Sequence, residues 1–413
     1  MYQERRQHLL ESLPEYSITV MMAGKAPYTV GDEKYPFYVN RSFYYYTGLD
    51  RENLILMLVK LPNRTHEALF IEPFDPQMAK WVGGRIMPEE AREISGIQDI
   101  RYLENMEGFL GSYLNSMGKY HAFTLCGELS KQELDQPSEL ADLFNRIRLQ
   151  QPDVQIKNIF ENTTRMRLVK EQAELDLMKK AIDVTNDGIK AMMSRAHDNV
   201  WENELEAYFD FVLKCEQCGH AFATICASGK NATILHYSEN NTRSGEGELL
   251  LCDLGASYKY YNADISRTFP LNGKFSPRQR EIYETVLRAN KMILEEARPG
   301  LTTRELNNKV IKFYEEELPK LGLIKDGKTV RDYYWHGVSH HLGLETHDQS
   351  LPDLPLQAGN VITDEPGLYI EEEGIGIRIE DDILITEDGA ICLSKNIMKE
   401  IDEIEAFMQG RKE

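Results

Sequence analysis

From residue 171 onward the chain runs through one order of elements twice, two amphipathic helices followed by a strand-rich block. Glu171 to Met193 sets Leu175, Met178, Ile182, Ile189 and Met192 at spacings of three and four, which lays one apolar stripe along a helix. A second helix, Glu202 to Glu216, carries Leu205, Phe209 and Val212 on one side, and a strand-rich block follows from Ala221 to Pro270 with a turn at Ser244-Gly-Glu-Gly247. The order restarts at Ser276-Pro-Arg-Gln279, a capping box with proline at the first helical position. That helix runs through Ile282, Val286, Met292 and Ile293 and stops at Pro299-Gly300. Thr302-Thr-Arg-Glu305 opens the next helix in the same way, and a second strand-rich block spans Tyr333 to Leu393. Runs of helices and strands in this order predict an α+β unit of two similar halves, with helices on one face of an antiparallel sheet. A site at the junction would draw residues from both strand blocks.

The residues before this unit read as a smaller α/β unit. Ile18-Thr-Val-Met-Met22 and Leu54-Ile-Leu-Met-Leu-Val59 are apolar runs of strand length, and Ser138 to Leu149 has helical spacing at Leu140, Leu143, Ile147 and Leu149. Gln150-Gln-Pro-Asp153 is a turn, and the polar segment from Asn158 to Arg165 reads as a hinge. Two domains, 1–158 and 159–413, are expected for the 413 residues. With 42% hydrophobic residues the chain can bury sizeable cores, and a net charge of −20 disfavours nucleic acid or anionic lipid as a partner. No apolar stretch has the length of a membrane span and no signal-type segment opens the chain, so a cytoplasmic setting is expected. The cysteines are scattered and read as reduced thiols; Cys215-Glu-Gln-Cys218 lacks the second pair that a zinc site needs.

Three clusters carry chemistry. Asp253 ends the apolar run Glu248-Leu-Leu-Leu-Cys-Asp253, and Asp264 lies in Tyr261-Asn-Ala-Asp-Ile-Ser-Arg267. If Gly255 to Tyr260 forms the bend, the two aspartates can face each other across an antiparallel pair, close enough to repel unless a cation lies between them or one is protonated. Trp335-His-Gly-Val-Ser-His-His-Leu-Gly-Leu-Glu-Thr-His-Asp348 concentrates His336, His340, His341 and His347 among glycines, which is hard to explain as packing. In Gly374-Ile-Gly-Ile-Arg-Ile-Glu-Asp-Asp382, alternation puts Ile375, Ile377 and Ile379 on one face and Gly376, Arg378 and Glu380 on the other. Glu365 stands in Thr363-Asp-Glu-Pro-Gly-Leu-Tyr369. Carboxylates with imidazole and no thiolate suit manganese, cobalt, iron or magnesium, and several carboxylates could neutralise two divalent ions for hydrolysis.

The series Leu235-His-Tyr237, Asp253-Leu-Gly-Ala256, Asp264-Ile-Ser-Arg-Thr-Phe-Pro270, His336-Gly-Val-Ser-His340, Glu365-Pro-Gly-Leu-Tyr369 and Arg378-Ile-Glu-Asp-Asp382 resembles the pita-bread metallopeptidases, and among them aminopeptidase P. Tyr35-Pro-Phe-Tyr-Val-Asn-Arg-Ser-Phe-Tyr-Tyr-Tyr-Thr-Gly48 is similar to the N-terminal domain of that enzyme and of prolidase. The resemblance implies a pseudo-twofold, curved antiparallel sheet with helices on its outer face, and removal of the residue before a penultimate proline in short peptides. It implies two divalent ions, most often manganese. Asp253 would hold one ion, Asp264 and Glu380 would bridge both, and His340 and Glu365 would hold the other. His236, His347 and Glu365 would be catalytic, and His336, Tyr369 and Arg378 would contact substrate. Homodimers or homotetramers are implied as well. His341, next to the ligand, should face away from the metals if the segment is a strand. Prolidase, which takes Xaa-Pro dipeptides, is the nearest alternative; creatinase and histone-chaperone relatives lack the ligand set kept here.

Overall fold

A computed structural model of the chain describes residues 1–115, 120–129 and 138–410. These form two compact units, Met1–Met166 and Arg167–Glu413. The first unit is built on a mixed six-stranded sheet in the order Asp99–Tyr102, Arg64–Ile71, Ile55–Leu61, Ser17–Met22, Thr124–Gly127, Gln155–Asn158. Ser17–Met22 runs antiparallel to Ile55–Leu61 and parallel to Thr124–Gly127. Ile18, Val20, Met57, Val59 and Leu125 pack against Leu143, Phe144 and Ile147 of the helix Glu139–Gln150, whose cap is the Ser138 side chain.

The segment expected as a hinge is mostly helix, Phe160–Leu168. Asn158 Oδ1 accepts from Phe160 N at 2.9 Å and turns the chain into it, while Thr163 and Thr164, polar by type, are buried.

In the second unit the helix pairs Gln172–Arg195 with Glu202–Cys215, and Pro277–Glu296 with Thr303–Glu317, follow the repeated order. Both capping boxes form, at Ser276 and at Thr302. Every strand pair described here is antiparallel. Leu249–Leu254 lies between Ile225–Ser228 and Ile265–Pro270, Asp381–Ile385 lies between Val361–Asp364 and Ala390–Cys392, and Gly367–Ile370 pairs with Ile375–Arg378. The helical stripes Ile182, Ile189, Leu205, Phe209, Ile282, Val286, Leu306 and Val310 join Leu250, Cys252, Leu254, Ile265, Ile383 and Ile385 in one core. Alternation along Leu249–Leu254 then turns Leu251 and Asp253 to the face away from those helices. That face carries the polar clusters.

The histidine-rich stretch is not a strand apart from an isolated bridge between His341 and Ile362. It runs as a loop beside Val361–Asp364, held by Thr363 N to His340 O at 3.0 Å, Leu342 N to Val361 O at 3.1 Å and Glu365 N to Val338 O at 2.9 Å. Its far end is anchored by a buried ion cluster in which Arg167 and Lys170 grip Asp348, with Lys170 Nζ 3.0 Å from Oδ2. Among the described residues no helix is long and apolar enough to cross a membrane.

Burial alone would raise the proton affinity of Asp348, but Arg167 and Lys170 hold it below the usual carboxylate range. A depressed folded value means that this contribution to stability is present above the unfolded value of about 3.9 and disappears as pH falls through the folded one. Asp348→Asn is therefore expected to lower unfolding free energy by about 3 kcal/mol near neutral pH. Urea unfolding of both proteins at neutral pH and at about pH 3 checks this; the gap should shrink at acid pH.

Candidate metal centre

The first two acids come from one hairpin. Its tip is Lys259–Tyr260, both left-handed (φ 49° and 68°), between the paired residues Tyr258 and Tyr261. This two-residue turn fixes the register downstream, so that Leu254 faces Ile265 and Asp253 faces Ser266. Asp264 falls just short of its strand and sits diagonally from Asp253, on the face that Ser266 shares. The aspartates are thus staggered and not directly opposed, the arrangement that their spacing alone allowed. Gly255 makes the close crossing possible, since a Cβ there would come within 1.8 Å of Ala263 O.

The second half supplies the remaining groups. Glu365 follows the strand Val361–Asp364, Glu380 lies between Ile375–Arg378 and Asp381–Ile385, and His340 comes from the loop. Glu380 N donates to Ser266 O at 3.0 Å and Thr268 Oγ1 to Arg378 O at 3.1 Å, which ties the two hairpin systems together. Asp253, Asp264, His340, Glu365 and Glu380 all line one cavity of about 610 Å³, together with His236, His336, His347 and Arg378. Phe222, Ile225 and Leu235 form its apolar wall. Tyr369 is behind this layer, with its hydroxyl 2.8 Å from His336 Nε2 and 2.9 Å from Arg378 Nη1. His341 lies outside the cavity and is buried, so neighbouring imidazoles do point apart.

The electrostatics are those of a cation site. Burial pushes Asp264 up to about 6 and Glu365 up to about 7, and burial with the charge of Asp264 raises Glu380 well above the carboxylate range. Burial would depress His340, but Asp264 and Glu365 beside it overcome that and raise it to about 9. Its Nε2 lies 3.4 Å from Asp264 Oδ2 and 3.5 Å from Glu365 Oε1. Asp264, His340 and Glu380 each offer a ligand atom within 4.8 Å of the others. Asp253 Oδ2 accepts from Arg378 Nη2 at 2.6 Å, while its buried Oδ1 meets no donor. Oxygen donors, one imidazole and an orphaned carboxylate oxygen fit hard or borderline divalent ions.

Residues 176–387 match metallopeptidase family M24, and residues 2–121 match the aminopeptidase P N-terminal domain. The chain belongs to family M24. This M24 chain is 33% identical to the Xaa-Pro aminopeptidase of Haemophilus influenzae, over 98% of its length and 96% of the relative. Its fold matches aminopeptidase P from E. coli in complex with the inhibitor Pro-Leu at a TM-score of 0.91 and 30% identity, covering 99% and 98% of the two chains. A Bacillus anthracis structure provisionally described as aminopeptidase P matches at 0.96 and 46% identity, covering 100% and 98%.

Sequence reasoning missed the groups that aim the M24 site. Ser266 Oγ donates to Glu380 Oε2 at 2.6 Å, and Thr363 Oγ1 donates to Glu365 Oε1 at 3.2 Å. Both stand at period-two spacing from a named acid, the one signal available. Glu202 is fully buried and gave no signal beyond opening a helix. It accepts from Ser228 N at 2.7 Å, Asn231 Nδ2 at 3.0 Å, Tyr237 Oη at 2.7 Å and Thr242 N at 3.0 Å, and so holds the turn that carries His236. Glu202→Ala strands these donors and should cost about 2–3 kcal/mol of stability. It should also lower peptidase kcat/KM by about tenfold or more through displacement of His236. Thermal unfolding beside steady-state kinetics checks both; unchanged kinetics would separate Glu202 from the site.

Proposed function

We propose that this M24 chain is a dinuclear metal-dependent aminopeptidase that releases the first residue of short peptides with proline second. The observation that carries the reading is the convergence of Asp253, Asp264, His340, Glu365 and Glu380 on one cavity. It is supported by relatives named Xaa-Pro aminopeptidase that span nearly the whole chain. In this reading Asp253 would hold one ion, His340 and Glu365 would hold the other, and Asp264 and Glu380 would serve both. Manganese is the ion proposed, in keeping with the oxygen-rich donor set. The catalytic unit is taken to begin at residue 159, the protein to work in the cytoplasm, and the assembly to be a homodimer or homotetramer, as the family resemblance implies.

The pair of ions, when bound, supplies Lewis-acid polarisation and an activated water. The chain's own groups do the rest. His236 and His347 line the cavity and can donate to the oxygen of the scissile carbonyl as it gains charge. The rings of His340 and His347 meet edge to face at 4.3 Å, which places His347 beside the ligand set. Glu365, 3.8 Å from His336 Nδ1, can take a proton at Oε2 and return it to the leaving proline nitrogen. Arg378 spends three contacts internally, on Asp253, Tyr369 and Ser266 at 2.6, 2.9 and 2.7 Å, and so orients the cage as well as the peptide. Proline lacks an amide proton, so a site that recognises the bond without that donor is required.

Asp264→Ala and Glu380→Ala should each reduce bound metal and lower hydrolysis of an Xaa-Pro-Xaa tripeptide by about a hundredfold or more. Elemental analysis and a steady-state assay measure the two effects. Full activity without metal would remove the proposal, and cleavage of the Xaa-Pro dipeptide alone would make the protein a prolidase. His347→Ala should retain metal and lose about 10²–10³ in kcat.

A further inference from the structure

Residues 342–360 form no strand or helix, yet this stretch carries His347 to the cavity. His340 is held by the strand Val361–Asp364, since its N donates to Thr363 Oγ1 at 3.1 Å and its O accepts from Thr363 N at 3.0 Å. His347 has no such strand beside it and its side chain is exposed, so the backbone on either side must fix the ring. After Leu342 the chain turns at Gly343, whose N donates to Glu345 O at 3.1 Å and whose O accepts from Asn262 N at 3.0 Å. The loop closes where Asp348 N donates to His341 O at 2.9 Å, one residue past His347. Asp348 is also the residue that the buried cations grip. The side chains of Asp348, Arg167 and Lys170 are each 1% exposed, and Lys170 Nζ is 3.0 Å from Asp348 Oδ2. Arg167 bonds Asp348 Oδ1 and reaches Glu345 Oε2 of the same loop at 2.8 Å. Gly343 leaves room for this carboxylate, because a Cβ there would lie 2.3 Å from Asp348 Oδ2.

Hydrogen bonds between charged groups are roughly twice as strong as neutral ones, and burial strengthens them further. The ion cluster therefore outweighs the neutral bond from Thr346 Oγ1 to Ala221 O, 3.2 Å long, as the hold on this end of the loop. The cations are themselves fixed to the frame of the site. Lys170 N donates to Gly359 O at 2.8 Å, and Asn360 Nδ2 donates to Leu168 O at 3.0 Å, just before the strand that holds His340 and leads to Glu365. The grip on Asp348 thus refers His347 to the same strand as two of the ligands. Asp348 does not line the cavity, so any effect on the reaction passes through its neighbour. We propose that Asp348, anchored by Arg167 and Lys170, is the positioning residue that aims His347 at the scissile carbonyl. This rests on the aminopeptidase reading, in which His347 donates to that oxygen. Such a donor works only where it is already placed, and a displacement of about 1 Å can cost on the order of a hundredfold in rate.

The test uses the manganese-loaded full chain and the tripeptide Ala-Pro-Ala, with Asp348→Asn and Lys170→Met each made in the wild type and in His347→Ala. Asp348→Asn should lower kcat by about ten- to thirtyfold and Lys170→Met by about three- to tenfold, with KM held within about twofold. Bound manganese, measured by elemental analysis, should be unchanged, because Thr363 holds His340 independently. In the His347→Ala background each substitution should change kcat by less than about twofold, since the group being aimed has gone. Lys170→Met leaves the Arg167–Asp348 pair in place and decides the matter if Asp348→Asn does not fold. The proposal falls if the folded variants keep the wild-type kcat, or if they lower it equally in both backgrounds, which would make the cluster a general support of the fold. It also falls if manganese is lost along with kcat, which would place the effect on the ligands. A wild type that binds manganese and leaves Ala-Pro-Ala uncut overturns the aminopeptidase assignment, and the role of Asp348 with it.

Discussion

Asp253, Asp264, Glu365 and Glu380 carry like charge into one cavity, Asp264 and Glu380 from buried positions, and the second unit is organised around holding them there. Removing carboxylates from water is costly, and gathering them adds mutual repulsion. No single hairpin could hold all of them, because each strand offers one face and every second residue. The solution is two hairpin systems cross-linked beside these acids, where Glu380 N meets Ser266 O and Ser266 Oγ meets Glu380 Oε2. The helices that cover the other face make the backing of this arrangement rigid. Gly376 shows how closely the halves approach, since a Cβ there would lie 2.0 Å from Ala232 O.

Arg378 acts as the counter-charge that keeps this geometry. Its guanidinium is buried and touches Asp253 from the first half and Tyr369 from the second. Lysine could not reproduce that fork, because its compact ammonium lacks the planar, spread donors that reach Asp253, Tyr369 and Ser266 together.

The helices, their caps and the doubled order were legible in the sequence because they rest on local spacing and on contacts within a few residues. The acids were legible by type and by resemblance. Their stagger was not, because it depends on a tight turn at Lys259–Tyr260, residues that carry none of the usual Asn-Gly signal. The segment from Asn158 to Arg165 is mostly helix because polar residues there cap and bury a turn that composition alone presents as a linker. The histidine stretch followed a neighbouring strand without joining it as one. Glu202 was invisible for a different reason: its partners lie 26 to 40 residues away, and only the folded chain brings them to it.

The turn at Glu371–Glu373 is fastened by cations from three separate stretches of chain, Lys230, Arg278 and Lys328. These pairs lie at the surface, where mobile counter-ions weaken them, whereas the carboxylate cage lies out of their reach. Rising ionic strength therefore slackens this turn before it disturbs the buried acids, so the surface clasp and the centre of the unit answer to salt separately.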